Sequence, residues 1–273
     1  MAQTLLPGLG ETPLAPLEHP LFHCSWDRAV FLHYRVEPRF LQPQIPFGLD
    51  LFDGQAYVSL VAFTLRNMRL THPHLKFITN PLHTHSFLNV RTYVQVGKMR
   101  GIYFLAEWLD NRLATLLGPV LYGLPYRFGK LTYRHNFPEV VGQVLGGMGS
   151  VTPMPVRPAL RYTAELSSSA NYEAASPGTL DHFLLERYLA FTKHGPFRRL
   201  FQVWHNPWPQ TPIGAQITCA TLLHSTGPWF PHAHFTSANF SPGVSDVQMG
   251  RPRPLKCFYV GCASAHRSSV GML

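Results

Sequence analysis

The sequence predicts a mainly β fold, either a barrel or a sandwich. Three observations point that way. Short runs of strand composition recur along the chain, Gly, Pro, Asn and Asp punctuate them, and one segment alone carries a convincing helical period. The clearest strand lies at residues 87–96, where Val90, Thr92, Val94 and Val96 share one parity and Asn89, Arg91, Tyr93 and Gln95 the other. Successive strand side chains point to opposite faces, so Phe87, Asn89, Arg91 and Tyr93 line one surface. An arginine flanked by an amide and a phenol marks either a solvated face or the wall of a polar cavity.

In chain order, residues 1–20 read as an extended arm broken by Pro7, Pro13, Pro16 and Pro20. Residues 26–36 have an apolar, aromatic strand composition, closed by Pro38. Asp53-Gly54 is a hairpin-type turn signal, and residues 55–65 after it are apolar on both parities, as in a strand buried on both faces. Residues 66–86 read as a long irregular loop holding His72, His74, His83 and His85. A second strand starts at Gly101. Asp110 or Asn111 can cap a short helix through Leu117, which Gly118-Pro119 would end. A Gly-Leu-Pro-Tyr turn, Gly123 to Tyr126, leads into a strand at 127–135, where Tyr126, Phe128 and Lys130 share a face.

Residues 137–159 are Gly/Pro-rich and read as an irregular connector. The one convincing helix spans 179–194: Thr179 can cap it, Gly195 stops it, and Leu180, Phe183, Leu184, Tyr188 and Phe191 form an apolar stripe. Strand-like segments follow at 199–205, 213–224 and 232–240. The expected organisation is therefore an arm at 1–20, one β domain at 21–254 and a C-terminal tail at 255–273.

Composition excludes several functions. The chain has 273 residues, 45% of them hydrophobic, enough to bury a sizeable core, and charged residues make up only 14%. The net charge of +9 comes from arginines scattered along the chain rather than clustered, with no nucleic-acid-binding motif, so nucleic acid is not an expected partner. No run of eighteen apolar residues exists and the N-terminus lacks a basic leader, which predicts a cytoplasmic protein without a membrane partner. Cys24, Cys219, Cys257 and Cys262 lack metal or redox spacing and read as reduced thiols. The His-x-His pairs at 72/74, 83/85 and 232/234 could each present two imidazoles on one side. No cysteine or carboxylate sits at ligand spacing beside them, so solvated histidines, and no metal or cofactor, are expected.

The stretch LNVRTYV, the strand from Gly101 to Phe104 and the Gly-Leu-Pro-Tyr turn, with FLLERY and HNPWP further on, resemble the YqjF-like family of uncharacterised proteins. That family in turn resembles acetoacetate decarboxylase in fold. The resemblance implies an antiparallel β barrel with an internal cavity and a few peripheral helices. In acetoacetate decarboxylases the corresponding turn carries a lysine that forms a Schiff base, followed by a second lysine, and a glutamate lies early in the strand equivalent to LNVRTYV. Here those positions hold Tyr126, Arg127 and Phe87. A phenol forms no imine, and arginine stays protonated and is a poor nucleophile. Lys130 lies about 13 Å beyond Tyr126 on an ideal strand, too far to replace the missing lysine.

If the register carries over, Phe87, Asn89, Arg91, Tyr93 and Tyr126 face the cavity, with Arg127 and Lys130 beside it. Arg91 would be a buried cation, either paired permanently with Glu107 or Asp110 or holding its fork open for a substrate carboxylate. Tyr126 and His205 are the candidate proton-transfer groups; the plainer role for His205 is to anchor a loop. Two functions follow: an enzyme acting on a small oxo or hydroxy acid without Schiff-base chemistry, or a non-catalytic binder of a small apolar or aromatic ligand. Either is compatible with a homo-oligomer.

Overall fold

The computed structural model of the chain describes residues 15–72, 82–136, 138–146 and 158–255. The long β1 (Phe22–Val36) opens the fold. A single helical turn α1 (Pro38–Leu41) and the short β2 (Gly48–Leu49) follow, before β3 (Ala56–Leu70). Then come β4 (His85–Val96), β5 (Met99–Leu109), α2 (Arg112–Tyr122), β6 (Tyr126–His135), β7 (Glu139–Gly146) and β8 (Ala159–Glu165). Helix α3 (Leu180–Leu185) precedes β9 (Leu189–His194) and β10 (Phe197–Trp204). The short β11 (Thr211–Ile213) and β12 (Ala215–Cys219), the long β13 (Ala233–Met249) and β14 (Arg253–Pro254) complete it.

The strands form one large mixed sheet whose pairings return to their start. β1 pairs β3, β3 pairs β4, β4 pairs β5, β5 pairs β9, β9 pairs β10, β10 pairs β13, and β13 pairs β1 again. This ring of strands is antiparallel except at β5–β9. A flap of β6, β7, β8 and β12 branches from the far end of β5 through a parallel contact between Glu107–Leu109 and Tyr126–Phe128. Alternation splits the buried side chains into two cores. One takes residues from all seven ring strands, among them Phe31, Phe63, Phe87, Tyr93, Phe104, Ala190, Phe201 and Val247, and is the ring's interior. The other packs Val30, Leu60, Val90 and Phe240 against Leu131, Val144 and Tyr162 of the flap.

Several elements depart from the sequence reading. The loop expected at 66–86 is shortened at both ends, because β3 runs to Leu70 and β4 starts at His85; residues 73–81 lie outside the described residues. Of its histidines, His72 and His83 are exposed, His85 is buried, and His74 lies outside the described residues. The connector expected at 137–159 contains β7, whose Val140 and Val144 are fully buried between β6 and β8. Its glycines hide an apolar alternation; Gly142 is required there because the Tyr162 ring lies over it. The rest of that connector from 147 to 157, the arm up to residue 14 and the tail from 256 are outside the described residues.

The helix expected at 179–194 ends after Leu185. Thr179 caps it as expected, accepting from the His182 N–H at 3.3 Å. Residues 189–192 are then buried whichever way they face, a demand met by β9 between β5 and β10 and not by an amphipathic helix. Conversely, α2 outlasts its expected stop. It begins on Asn111, whose side chain accepts from the Ala114 N–H at 3.0 Å, and runs through Gly118-Pro119 to a left-handed Gly123 with φ 73°.

Candidate functional site

The interior face of β4 is where the sequence placed the site, and four predicted residues meet there. Phe87 stacks on Phe63 at 5.4 Å and meets the edge of the Tyr126 ring at 5.8 Å. Asn89 pairs with Val61 on one side and Glu107 on the other. Arg91 pairs with Ser59 and Phe104, and Tyr93 with Ile102. Tyr126 of β6 stands beside Glu107, so it belongs to this interior too. Gly118 of α2 is what lets it in: a Cβ at Gly118 would sit 2.2 Å from the Tyr126 ring.

Arg91 is 6% exposed. Its Nη2 donates to the Leu184 carbonyl at 3.0 Å, its Nε has no partner, and its guanidinium lies 5.9 Å from the Phe31 ring centroid. Among the described residues it meets no carboxylate, so the permanent pairing expected with Glu107 or Asp110 is not made. Asp110 instead accepts from the Ser86 N–H at 3.0 Å. The Tyr93 hydroxyl donates to the same Leu184 carbonyl at 2.8 Å and lies 2.6 Å from Ser59 Oγ. Ser59 is 2.7 Å from His33 Nδ1, and His33 Nε2 is 3.1 Å from Asn239 Oδ1. Burial, with Arg91 close by, holds His33 neutral by lowering its pKa to about 3.

Glu107, which the sequence offered only as a structural partner for Arg91, belongs to the site itself. It is 3% exposed, its Oε2 has no partner, and burial pushes its carboxyl well above the ordinary carboxylate range. Opposite it, Asn89 Oδ1 is also buried without a partner. Strict alternation along β5 would send Glu107 away from Ile102 and Phe104. A bulge at Leu105, where Val90 faces Ala106 and Arg91 faces Phe104, brings all three inside. Tyr126 is kept a neutral phenol by burial, reinforced by Glu107.

His205 is 1% exposed among Trp26, Tyr188 and Trp208, with Nδ1 donating to the Asn206 carbonyl at 2.7 Å. Burial lowers its pKa. It is thus an anchoring histidine whose ring stays neutral, close enough to Arg91 to feel its charge. The remaining two predicted residues are not brought to the interior. Arg127 points to the other core, over Trp108 at 5.0 Å and bonded to Ser225, and Lys130 is exposed. Lys98 and Lys193, the other described lysines, are exposed as well. Among the described residues no three His, Cys, Asp or Glu side chains gather as a metal site, and no helix is long and apolar enough to cross a membrane.

The fold resembles that of solved acetoacetate-decarboxylase-like structures. Acetoacetate decarboxylase from Legionella pneumophila superposes with a TM-score of 0.60 at 9% identity, covering 94% of this chain and 98% of its own. An acetoacetate-decarboxylase-like enzyme from Sphingomonas wittichii RW1 gives 0.58 at 16% identity, covering 93% and 98%. The enduracididine biosynthesis enzyme MppR complexed with pyruvate gives 0.56 at 16%, covering 92% and 98%. By sequence the chain belongs to DUF2071, a family of uncharacterized conserved proteins, which it matches over residues 23–245. It is 28% identical over 214 residues to the uncharacterized protein YqjF of Bacillus subtilis (strain 168), covering 77% of this chain and 83% of that one.

Proposed function

We propose that the ring interior binds a small organic acid, of the oxo or hydroxy acid class, with its carboxylate on Arg91. The observation that carries this reading is a buried guanidinium with an unused N–H and no carboxylate partner among the described residues. An uncompensated buried charge costs several kcal/mol, and a bidentate carboxylate offsets that cost. A fold neighbour complexed with pyruvate supports the same ligand class. Schiff-base chemistry is not part of the proposal, since Tyr126 stands at the lysine position and the described lysines are exposed. Proton transfer to a bound acid would fall to Glu107, whose carboxyl burial pushes well above the ordinary carboxylate range, and to the Tyr126 phenol beside it. A purely apolar ligand suits the aromatic walls but leaves Arg91 unanswered.

Thermal unfolding with pyruvate, lactate and acetate tests this. A ligand at a hundred times its Kd should stabilise the protein by about 2.7 kcal/mol. Arg91→Met should stay folded and lose the response. Indifference of the wild type to every acid would overturn the reading and leave the apolar binder.

A further inference from the structure

Besides His85 Nδ1 further along the same face of β4, four buried polar atoms around Arg91 and Glu107 lack a hydrogen-bond partner: Arg91 Nε, Trp208 Nε1, Asn89 Oδ1 and Glu107 Oε2. They sort by polarity. Arg91 and Trp208 supply N–H donors, and both lie against Phe31, the guanidinium at 5.9 Å and the indole at 5.1 Å between centroids. Asn89 and Glu107 supply oxygens and are direct partners across β4 and β5. Arg91 and Asn89 are two residues apart on one strand face, so the donor end and the acceptor end are separated by about 7 Å. Arg91 is tied toward Leu184.

The charges around these two ends include the buried Arg187–Asp50 ion pair at 2.7 Å and the Glu186 carboxylate, which accepts from the Trp208 backbone N–H at 2.9 Å. Facing Glu107 are Tyr126 of β6 and, beyond Tyr126, Tyr122 of α2 and Cys24 of β1. Burial keeps each of them protonated, the Cys24 thiol at about 12. Facing Arg91 are His33 of β1 and His205, both held neutral. No cation among the described residues forms an ion pair with Glu107, and no carboxylate forms one with Arg91.

We infer that the ligand is a zwitterion, an amino acid whose carboxylate takes the N–H groups of Arg91 and Trp208 and whose ammonium takes the oxygens of Asn89 and Glu107. This rests on the Arg91 reading above and narrows its ligand class. On binding, the Glu107 O–H bond breaks and its proton passes to solvent. The carboxylate that remains pairs with the ammonium, as Arg91 pairs with the ligand carboxylate. An oxo acid of the same skeleton answers Arg91 but offers Asn89 no donor, and a hydroxy acid offers a single one.

The test uses the full chain and two matched series: pyruvate, lactate and alanine, then phenylpyruvate, phenyllactate and phenylalanine. Titration calorimetry at pH 7 in buffers of different ionisation enthalpy reads both affinity and proton release. The expected result is an amino acid binding at least tenfold more tightly than its oxo and hydroxy counterparts, with about one proton released per site. In Glu107→Gln the preference and the proton release should both disappear. Equal binding of all three acids, or amino-acid binding without proton release, would overturn the zwitterion and leave Arg91 as a carboxylate clamp. Binding of none would bring down the Arg91 reading as well. Should Glu107→Gln fail to fold, proton release by the wild type still decides.

Discussion

Glu107 and Arg91 illustrate what a single residue's surroundings decide. Arg91, Tyr93 and Phe87 could be assigned to one face from sequence because β4 alternates without interruption from His85 to Tyr93. Glu107 could not, since the bulge at Leu105 shifts its parity and no residue type there announces a bulge. Its burial has a consequence in solution. A carboxyl whose folded pKa lies above its ordinary 4.5 adds stability that is fully present below that pH and is lost as pH rises through the folded value. Glu107→Gln should therefore gain on the wild type with rising pH, by about 1.4 kcal/mol per pH unit across that window. Chemical denaturation of both proteins between pH 4.5 and 8.5 checks this, and parallel curves would mean that Glu107 is ionised in the folded protein.

Among the elements, α2 and α3 show how tertiary demands override local signals. Gly118-Pro119 reads as a helix stop, yet the glycine sits mid-helix because the Tyr126 ring occupies the space a Cβ would need. Gly118→Ala thus sets two effects against each other. Helix propensity favours alanine by about 1 kcal/mol, while overpacking a filled site costs typically 1–3 kcal/mol. The ring is wedged against Phe87 and cannot swing away freely, so net destabilisation by roughly 1 kcal/mol is expected, measured by denaturant midpoint. A stabilised variant would show that Tyr126 moves aside. The stripe at 179–194 misled for a related reason. Helical spacing over Leu180–Leu185 is real, but Tyr188 to Thr192 are buried on every side, and only a strand inside the sheet satisfies that. Thr179 and the N-terminal half were legible; the boundary was set by β5 and β10, which local sequence does not report.

For the whole molecule, the mainly β class was readable from turn spacing and alternation, whereas ring closure was not, because it depends on pairings between distant segments. The molecule also carries an acid liability. Burial holds His33 near 3, His85 and His135 near 4, and His205 below its ordinary value. A histidine with a lowered folded pKa adds stability above about 6.5 that is lost as pH falls toward the folded value. Each contributes at most about 1.4 kcal/mol per pH unit, against a total stability typically of 5–15 kcal/mol. Unfolding at pH 5 should therefore take up several protons and occur at clearly lower denaturant than at pH 7.5. Equal midpoints at the two pH values would show that these imidazoles remain solvated.

The ring closes through β1 and β13, with Phe22 opposite Met249. During synthesis, β1 therefore waits beside β3 with one edge open until β13 has left the ribosome. Until then the aromatic lining and the lone guanidinium of Arg91 stay accessible to water and to chaperones. Long-range closure of this kind is slow, so a nascent chain stalled before residue 233 holds every part of the ligand site described here and still cannot seal it from solvent.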